Sequence, residues 1–76
     1  MLKDQFTIVH FAGAWRISSS NGYRGPFLTR VDAVREAVIS AGEVSRDGRV
    51  VEVVVYEGSE PYSVWSSERD GYVSAN

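Results

Sequence analysis

The sequence of 76 residues contains no cysteine and a single histidine, His10. The absence of cysteine excludes a disulfide framework and any thiolate metal site. One histidine without cysteine also excludes a Cys–His pair or a zinc cluster of the usual composition. A chain without disulfides suits a reducing compartment, so we expect a cytoplasmic protein with no metal and no cofactor.

Long apolar runs and an excess of basic charge are also lacking. Residues 2–5, read as LKDQ, do not resemble the apolar core of a signal peptide, and no segment is long enough for a transmembrane helix. Eight basic residues stand against ten acidic ones, which gives a net charge of -2. This balance disfavours general electrostatic binding to nucleic acid or to an anionic membrane.

Catalytic motifs are not recognisable in the sequence. There is no Gly-x-Ser-x-Gly motif, and the pairs Glu57 with Glu60 and Glu68 with Asp70 flank predicted turns, where solvated carboxylates usually lie. The glycines Gly22 and Gly25 match neither a P-loop nor a dinucleotide fingerprint. We therefore predict that the protein is not an enzyme and has no catalytic, cofactor-binding or metal-binding residue.

The residues that are present predict one domain spanning 1–76, with an ordered core at about 5–67 and a frayed C-terminal tail. Alternating apolar residues predict a hairpin of strands at 6–11 and 15–18. Residues 19–26 are rich in turn formers and predict a loop. The valine-rich segment 49–57 and the alternating segment 62–66 predict two more strands, and residues 72–73 predict either a short strand or part of the tail.

An amphipathic helix is predicted from Arg30 to Glu43 or Val44. Thr29 is a suitable N-cap, and Asp32 follows it at capping-box spacing. The fold class is therefore α+β, a small ββαββ domain with a mainly antiparallel twisted sheet and one helix packed on one face. The helix joins the second strand to the third, which would run parallel if adjacent. The expected core is Ile8, Trp15, Ile17, Val34, Val38, Ala41, Val51, Val53, Val55 and either Val64 or Trp65.

Both faces of the predicted strands carry apolar side chains, whereas one helix covers only one face of a sheet. The other face is either solvated or covered by a homodimer partner, another protein or a ligand. We take as its candidate interaction surface a set drawn from the strands and the connecting loop: Val9, Phe11, Arg16, Arg24, Val54, Tyr56 and Tyr62. This interpretation predicts a non-enzymatic interaction module that self-associates through the uncovered face or an edge strand.

A nucleic-acid-binding domain is the alternative function. Arg16, Arg24 and Arg30 occur near Trp15 and Tyr23, and arginines with aromatic rings hold phosphates and stack on bases. The acidic balance opposes this reading, as do the glutamates in segment 49–57, where an RNA-binding sheet would carry basic and aromatic residues. We therefore predict a protein partner or a second copy before nucleic acid, and no membrane partner.

Four segments carry a resemblance to a known family: GAWRI, GPFLTRVDAVREAVISA, DGRVVEVVVYEG and YSVW. Together they cover about 6–65 and resemble small bacterial proteins grouped as domain-of-unknown-function family 2188. The resemblance implies a small bacterial α/β protein of unassigned activity and transfers no functional residue. A second group, of small ββα-repeat proteins, has a similar rhythm of strand, Asn-Gly turn and helix.

Overall fold

Six helices and strands follow one another along the chain in the computed structural model, which describes residues 3–20, 22–58 and 60–70. Their bounds are β1 Lys3–Phe11, β2 Ala14–Ser19, β3 Gly22–Phe27, α1 Arg30–Ser45, β4 Val50–Glu57 and β5 Glu60–Ser66. The predicted strand at residues 72–73 and the last residues of the predicted tail lie outside the described residues. Within the described part of the chain, no helix is both long and apolar enough to cross a membrane.

The five strands form one mixed sheet in the order β3-β2-β1-β4-β5. Three neighbouring pairs run antiparallel, since short connections join the strands of each pair, whereas β1 and β4 run parallel. The return path through α1 makes this parallel pair possible, because such a pair needs a long crossover. The prediction of a small α+β domain with one helix is confirmed.

The prediction of a loop at 19–26 was wrong, because Gly22–Phe27 form the edge strand β3. The segment lacks β-branched residues, and Gly22 and Gly25 have positive φ angles of 109° and 120°. Its strand conformation depends instead on pairing with β2, where Tyr23 lies opposite Ser18 and Phe27 opposite Trp15. Cross-strand contacts thus outweigh a low intrinsic strand propensity. Because β3 occupies the outer edge of β2, β4 pairs with β1 instead. The parallel pair is therefore β1 with β4, and not the second strand with the valine-rich strand.

The core lies between α1 and one face of the sheet. The helix presents Ala33, Ala37 and Ala41, all fully buried, at four-residue spacing. They contact a layer of sheet residues that is also fully buried and consists of Ile8, Ile17, Val51, Val53 and Val55. Val34, Val38, Val64, Trp15 and Trp65 pack around this layer and are partly buried. The small alanine side chains let the helix axis approach the sheet closely.

The helix begins as the sequence predicts. The side-chain oxygen of Thr29 accepts a hydrogen bond from the backbone N–H of Asp32 at 3.1 Å, as an N-cap residue should. The helix continues to Ser45, slightly beyond the predicted end. Its outward side exposes Val31 and Ile39 to solvent.

Candidate interaction surface

The sheet face opposite α1 is defined by the strand register. Residues of β1 with odd numbers point away from the helix, because Phe6 and Ile8 are buried beneath it. We call this surface the open face. It consists of three rows of cross-strand neighbours with two aromatic residues at its margins: Gln5, Glu52 and Ser66; Ser18, Thr7, Val54 and Ser63; Arg16, Val9, Tyr56 and Pro61; and Phe11 and Tyr23.

A wide groove of about 810 Å³ occupies one end of the open face. Its lining comes from four strands and the turn after β4: Val9, His10, Phe11, Arg16, Tyr23, Tyr56 and Gly58. Three of its aromatic side chains are strongly exposed, with Tyr23 at 74%, Phe11 at 69% and Tyr56 at 46%. These three rings form the most exposed apolar part of the groove lining.

Arg16 supplies the positive charge of the groove. Its guanidinium donates a hydrogen bond to the backbone carbonyl of Phe11 at 2.5 Å, and its central carbon lies 5.9 Å from the centroid of the Phe11 ring. These contacts hold the side chain against the aromatic surface, within the range of a cation–π interaction. Among the described residues, no carboxylate lies within ion-pair distance of Arg16. The guanidinium is thus held by the backbone and ring of Phe11, and not by a carboxylate of the described residues.

His10 lies at the margin of the groove and stacks on a tryptophan. The ring centroids of His10 and Trp15 are 4.4 Å apart and their planes differ by 16°. These two residues are also register partners on β1 and β2. Within the described residues, no group of three or more histidine and acidic side chains is placed to hold a metal ion. The observed role of His10 is thus packing of one aromatic ring on another.

Four of the seven residues proposed for the interaction surface line the groove, namely Val9, Phe11, Arg16 and Tyr56. Val54 also lies on the open face, but its neighbours leave only 8% of it exposed.

Arg24 lies on the helix side of the sheet, opposite Ile17 in the register. Its guanidinium is 3.3 Å from the carboxylate of Glu36 and donates a hydrogen bond to the Ser40 hydroxyl at 2.7 Å. These contacts tie β3 to α1. Arg24 therefore acts in the structure as a bridge between an edge strand and the helix.

Tyr62 is the other proposed residue that lies away from the groove. It pairs with Val55, whose side chain is buried under the helix, and the β4–β5 register is irregular next to this pair, between Val53 and Val54. The Tyr62 hydroxyl donates to the Glu57 carboxylate at 3.2 Å and accepts from Arg30 at 3.4 Å. An irregular register of this kind changes which side chains share a face, and the sequence alternation does not reveal it.

Tyr23 belongs to the groove but is not among the residues predicted for it. The segment that contains it reads as a loop, so no face could be assigned to its side chain. In the structure its pairing with Ser18 places it on the open face. The sequence signal that could have revealed this strand is the Asn21-Gly22 dipeptide, which is typical of the turn of a β-hairpin.

A charged pair lies near the other end of the open face. Arg69 donates to the carboxylate of Asp70 at 2.7 Å, and this hydrogen bond lowers the pKa of Asp70, against the opposing effect of desolvation. The same contact raises the pKa of Arg69, to which the negative charge of Glu52 also contributes. Glu52 thus lies within electrostatic range of this pair.

Comparison with known proteins adds no family assignment. No protein-family model matches the chain, and the searches of the curated proteins and of the solved structures give no match either. Only the residues of the site itself therefore indicate what it can bind. Exposed aromatic rings and one accessible guanidinium can stack on a partner and pair with its acidic groups.

Proposed function

We propose that the protein is a non-enzymatic interaction module that self-associates through its open face. The observation that carries the proposal is the groove formed by Phe11, Tyr23 and Tyr56 on the side of the sheet that the helix leaves uncovered. Burying these rings against a second copy removes apolar area from water, which is the main driving force of association. Symmetric homo-oligomers are also the commonest soluble assemblies.

The open face is a better interface than either edge of the sheet. Both edge strands contain a proline, Pro26 in β3 and Pro61 in β5. Proline has no backbone N–H to donate to an added strand, and natural proteins use it to block pairing between sheet edges. Association by packing of faces needs no free backbone donor, so these prolines do not oppose it.

A dimer formed through the open face would be weak. Five strands spaced by about 4.8 Å, each with about six residues rising about 3.3 Å, cover roughly 450–500 Å² on each copy. The two copies together would bury on the order of 1,000 Å², near the lower limit for a specific interface. We therefore expect a dissociation constant on the order of 10–1,000 μM, typical of a transient contact.

A dilution series in which NMR monitors the amide resonances tests this proposal. When the protein is concentrated to about 1 mM, the range expected for a weak interface, the resonances of β1, β2 and β4 should shift or broaden. The resonances of the outer side of α1 should not change. Phe11→Ser should suppress the change. Ile39→Ser is the matched control, because Ile39 is a comparably exposed apolar residue on the outer side of the helix. Spectra that stay the same over the whole series would contradict the proposal.

Nucleic-acid binding is the second candidate, and Arg16 on its aromatic surface is the observation that favours it. Such a guanidinium beside Phe11 and Tyr23 could hold a phosphate while the rings stack on bases. Arg24 and Arg30, the other arginines of this hypothesis, have partners elsewhere, at Glu36 and Tyr62. Titration with mixed-sequence single-stranded oligonucleotides at low salt tests it. Binding that weakens with salt and is lost in Arg16→Ala would support this function, and no binding at low salt would reject it.

The resemblance to family 2188 supports a bacterial origin, and the lack of cysteine supports a cytoplasmic location. We retain both as proposals. Fractionation of the cells that express the protein, with detection by antibody, tests the location. Recovery in the membrane or extracellular fraction would contradict it.

A further inference from the structure

We infer that Arg24 is a positioning residue of the groove on the open face. Its contacts to α1, on the helix side of the sheet, hold β3 in place, and β3 in turn holds Tyr23 in the groove on the opposite side. Arg24 and its partners on the helix do not themselves line the groove. The inference concerns the assembly of the groove, and its consequence for association rests on the proposed function.

β3 has little apolar burial of its own. Its first five residues are exposed, and only Phe27 at its end is half-buried against the core. Its pairing with β2 is irregular between Trp15 and Ile17, and Pro26 has no backbone N–H to donate to the ladder. Segments with few buried apolar contacts open at a lower free energy than the core of a domain. The attachment of β3 therefore depends on contacts other than apolar packing.

Arg24 supplies such contacts from the middle of β3. One guanidinium nitrogen, Nη1, lies 3.3 Å from the Glu36 carboxylate and donates to the Ser40 hydroxyl at 2.7 Å. These two partners are four residues apart, so they lie one turn apart on the same side of α1. A gap of about 310 Å³ lies between the start of β3 and the last turns of the helix, with a lining that includes Gly22, Arg24, Ser40, Glu43 and Val44. Arg24 thus spans a space that apolar packing does not close.

Strand alternation links this contact to the open face, because consecutive strand residues point to opposite faces. Arg24 lies opposite the buried Ile17, on the helix side, and Tyr23 directly before it lines the groove. Tyr23 is the aromatic ring that β3 contributes, whereas Phe11 and Tyr56 belong to β1 and β4. Displacement of β3 therefore removes one ring from the groove and leaves the other two in place.

Hydrogen exchange monitored by NMR tests whether Arg24 holds β3. The amides that join β3 to β2 should exchange faster than the slowest amides of β4, because β3 opens locally. In Arg24→Ala their exchange should become about three- to tenfold faster, since an exposed ion pair and a hydrogen bond to a charged group are lost. Glu36→Ala combined with Ser40→Ala removes the same contacts from the helix and should give the same result.

Thr29→Ala is the control for the exchange measurement. Loss of the helix cap lowers the stability of the whole domain, so the slowest amides of β4 should exchange about fivefold faster. The amides of β3 should keep their rates, because local opening of β3 leaves the helix folded. Circular dichroism of each variant verifies that the fold is retained.

The dissociation constant from sedimentation equilibrium tests the consequence for the groove. Both copies in a dimer must present Tyr23, so the fraction of chains with β3 in place enters the affinity twice. The combined helix variant should weaken association by about two- to fivefold. Arg35→Ala is the matched control and should leave association unchanged, because Arg35 makes a comparable exposed ion pair with Asp32 at 3.4 Å, within the helix.

A Tyr23→Ala background separates positioning from a general effect on stability. In that background the combined helix variant should cause no further loss of association, because no ring remains to be positioned. An equal loss with and without the Tyr23 ring would overturn the inference, as would association of the combined helix variant that matches the unaltered chain.

The outcomes also separate this inference from the proposed function. Unchanged exchange of the β3 amides in Arg24→Ala would overturn the inference and leave self-association intact. Amides of β3 that exchange as slowly as those of β4, and that respond equally to Thr29→Ala, would also overturn it. An unaltered chain that stays monomeric to about 1 mM, the range expected for a weak interface, would overturn the proposed function, whereas the exchange rates would still decide whether Arg24 holds β3 and Tyr23 in place.

Discussion

Ala37 is the position where the packing of the helix on the sheet is tested most severely. It is fully buried and lies midway between two other fully buried alanines, Ala33 and Ala41. Replacing Ala37 by leucine adds three carbon atoms where the helix and the sheet are already in contact. Overpacking of this kind costs about 1–3 kcal/mol. The total stability expected for a chain of this length is about 4–11 kcal/mol, so the loss would be a substantial part of it.

The assay is thermal unfolding followed by circular dichroism. A loss of about 1–3 kcal/mol should lower Tm by roughly 5–20 °C in a domain of this size. Ala37→Gly should also destabilise the protein, by about 1 kcal/mol, because glycine disfavours the helix. Ile39→Leu is the control on the exposed side and should leave Tm nearly unchanged. An Ala37→Leu variant with an unchanged or higher Tm would refute the close approach of helix and sheet.

Three further predictions concern the core, the helix cap and an exposed ion pair. Ile17→Ala, at a fully buried strand position, should lower the free energy of unfolding in urea by about 2–5 kcal/mol. Thr29→Ala should lower it by about 1 kcal/mol through loss of the N-cap bond to Asp32, and Thr29→Ser should retain most of it. The hydrogen bond from Arg69 lowers the pKa of Asp70 below its ordinary value of 3.8. Its small stabilising effect should thus be present above that value and lost as the pH falls through the lower pKa of the folded state, so Asp70→Asn should flatten the acid dependence of unfolding.

Each of these three has an outcome that contradicts it. If Ile17→Ala were as stable as the surface variant Ile39→Ala, Ile17 would not belong to the core. Equal stability of Thr29→Ala and the unaltered chain would mean that the cap contributes nothing. If the stability of Asp70→Asn declined in acid as much as that of the unaltered chain, the Arg69–Asp70 contact would have no effect on the acid dependence of unfolding.

Much of the fold follows from patterns that are local in the sequence. The helix was predicted from its cap and its apolar spacing, and the first two strands and the valine-rich strand from alternation and composition. The edge strand β3 could not be predicted in this way, because its glycines and Pro26 are typical of a turn. Its conformation is a consequence of pairing with β2, which is a tertiary contact. The pairing of β1 with β4 depends in turn on where β3 lies.

The open face was only partly predictable for the same reason. Alternation in β1 and β4 correctly separates Val9 and Tyr56 from the core residues beside them. It gives no information on Tyr23, which lies in the unrecognised strand. It also fails for Tyr62, because the irregular register between β4 and β5 changes the face that this side chain occupies.

Sedimentation equilibrium of the unaltered chain, from about 10 μM to about 1 mM, tests the central claim most directly over the range expected for a weak interface. We expect the average mass to begin near the 8.4 kDa of one chain and to rise toward twice that value as the concentration increases. A mass of 8.4 kDa at every concentration would contradict self-association through the open face.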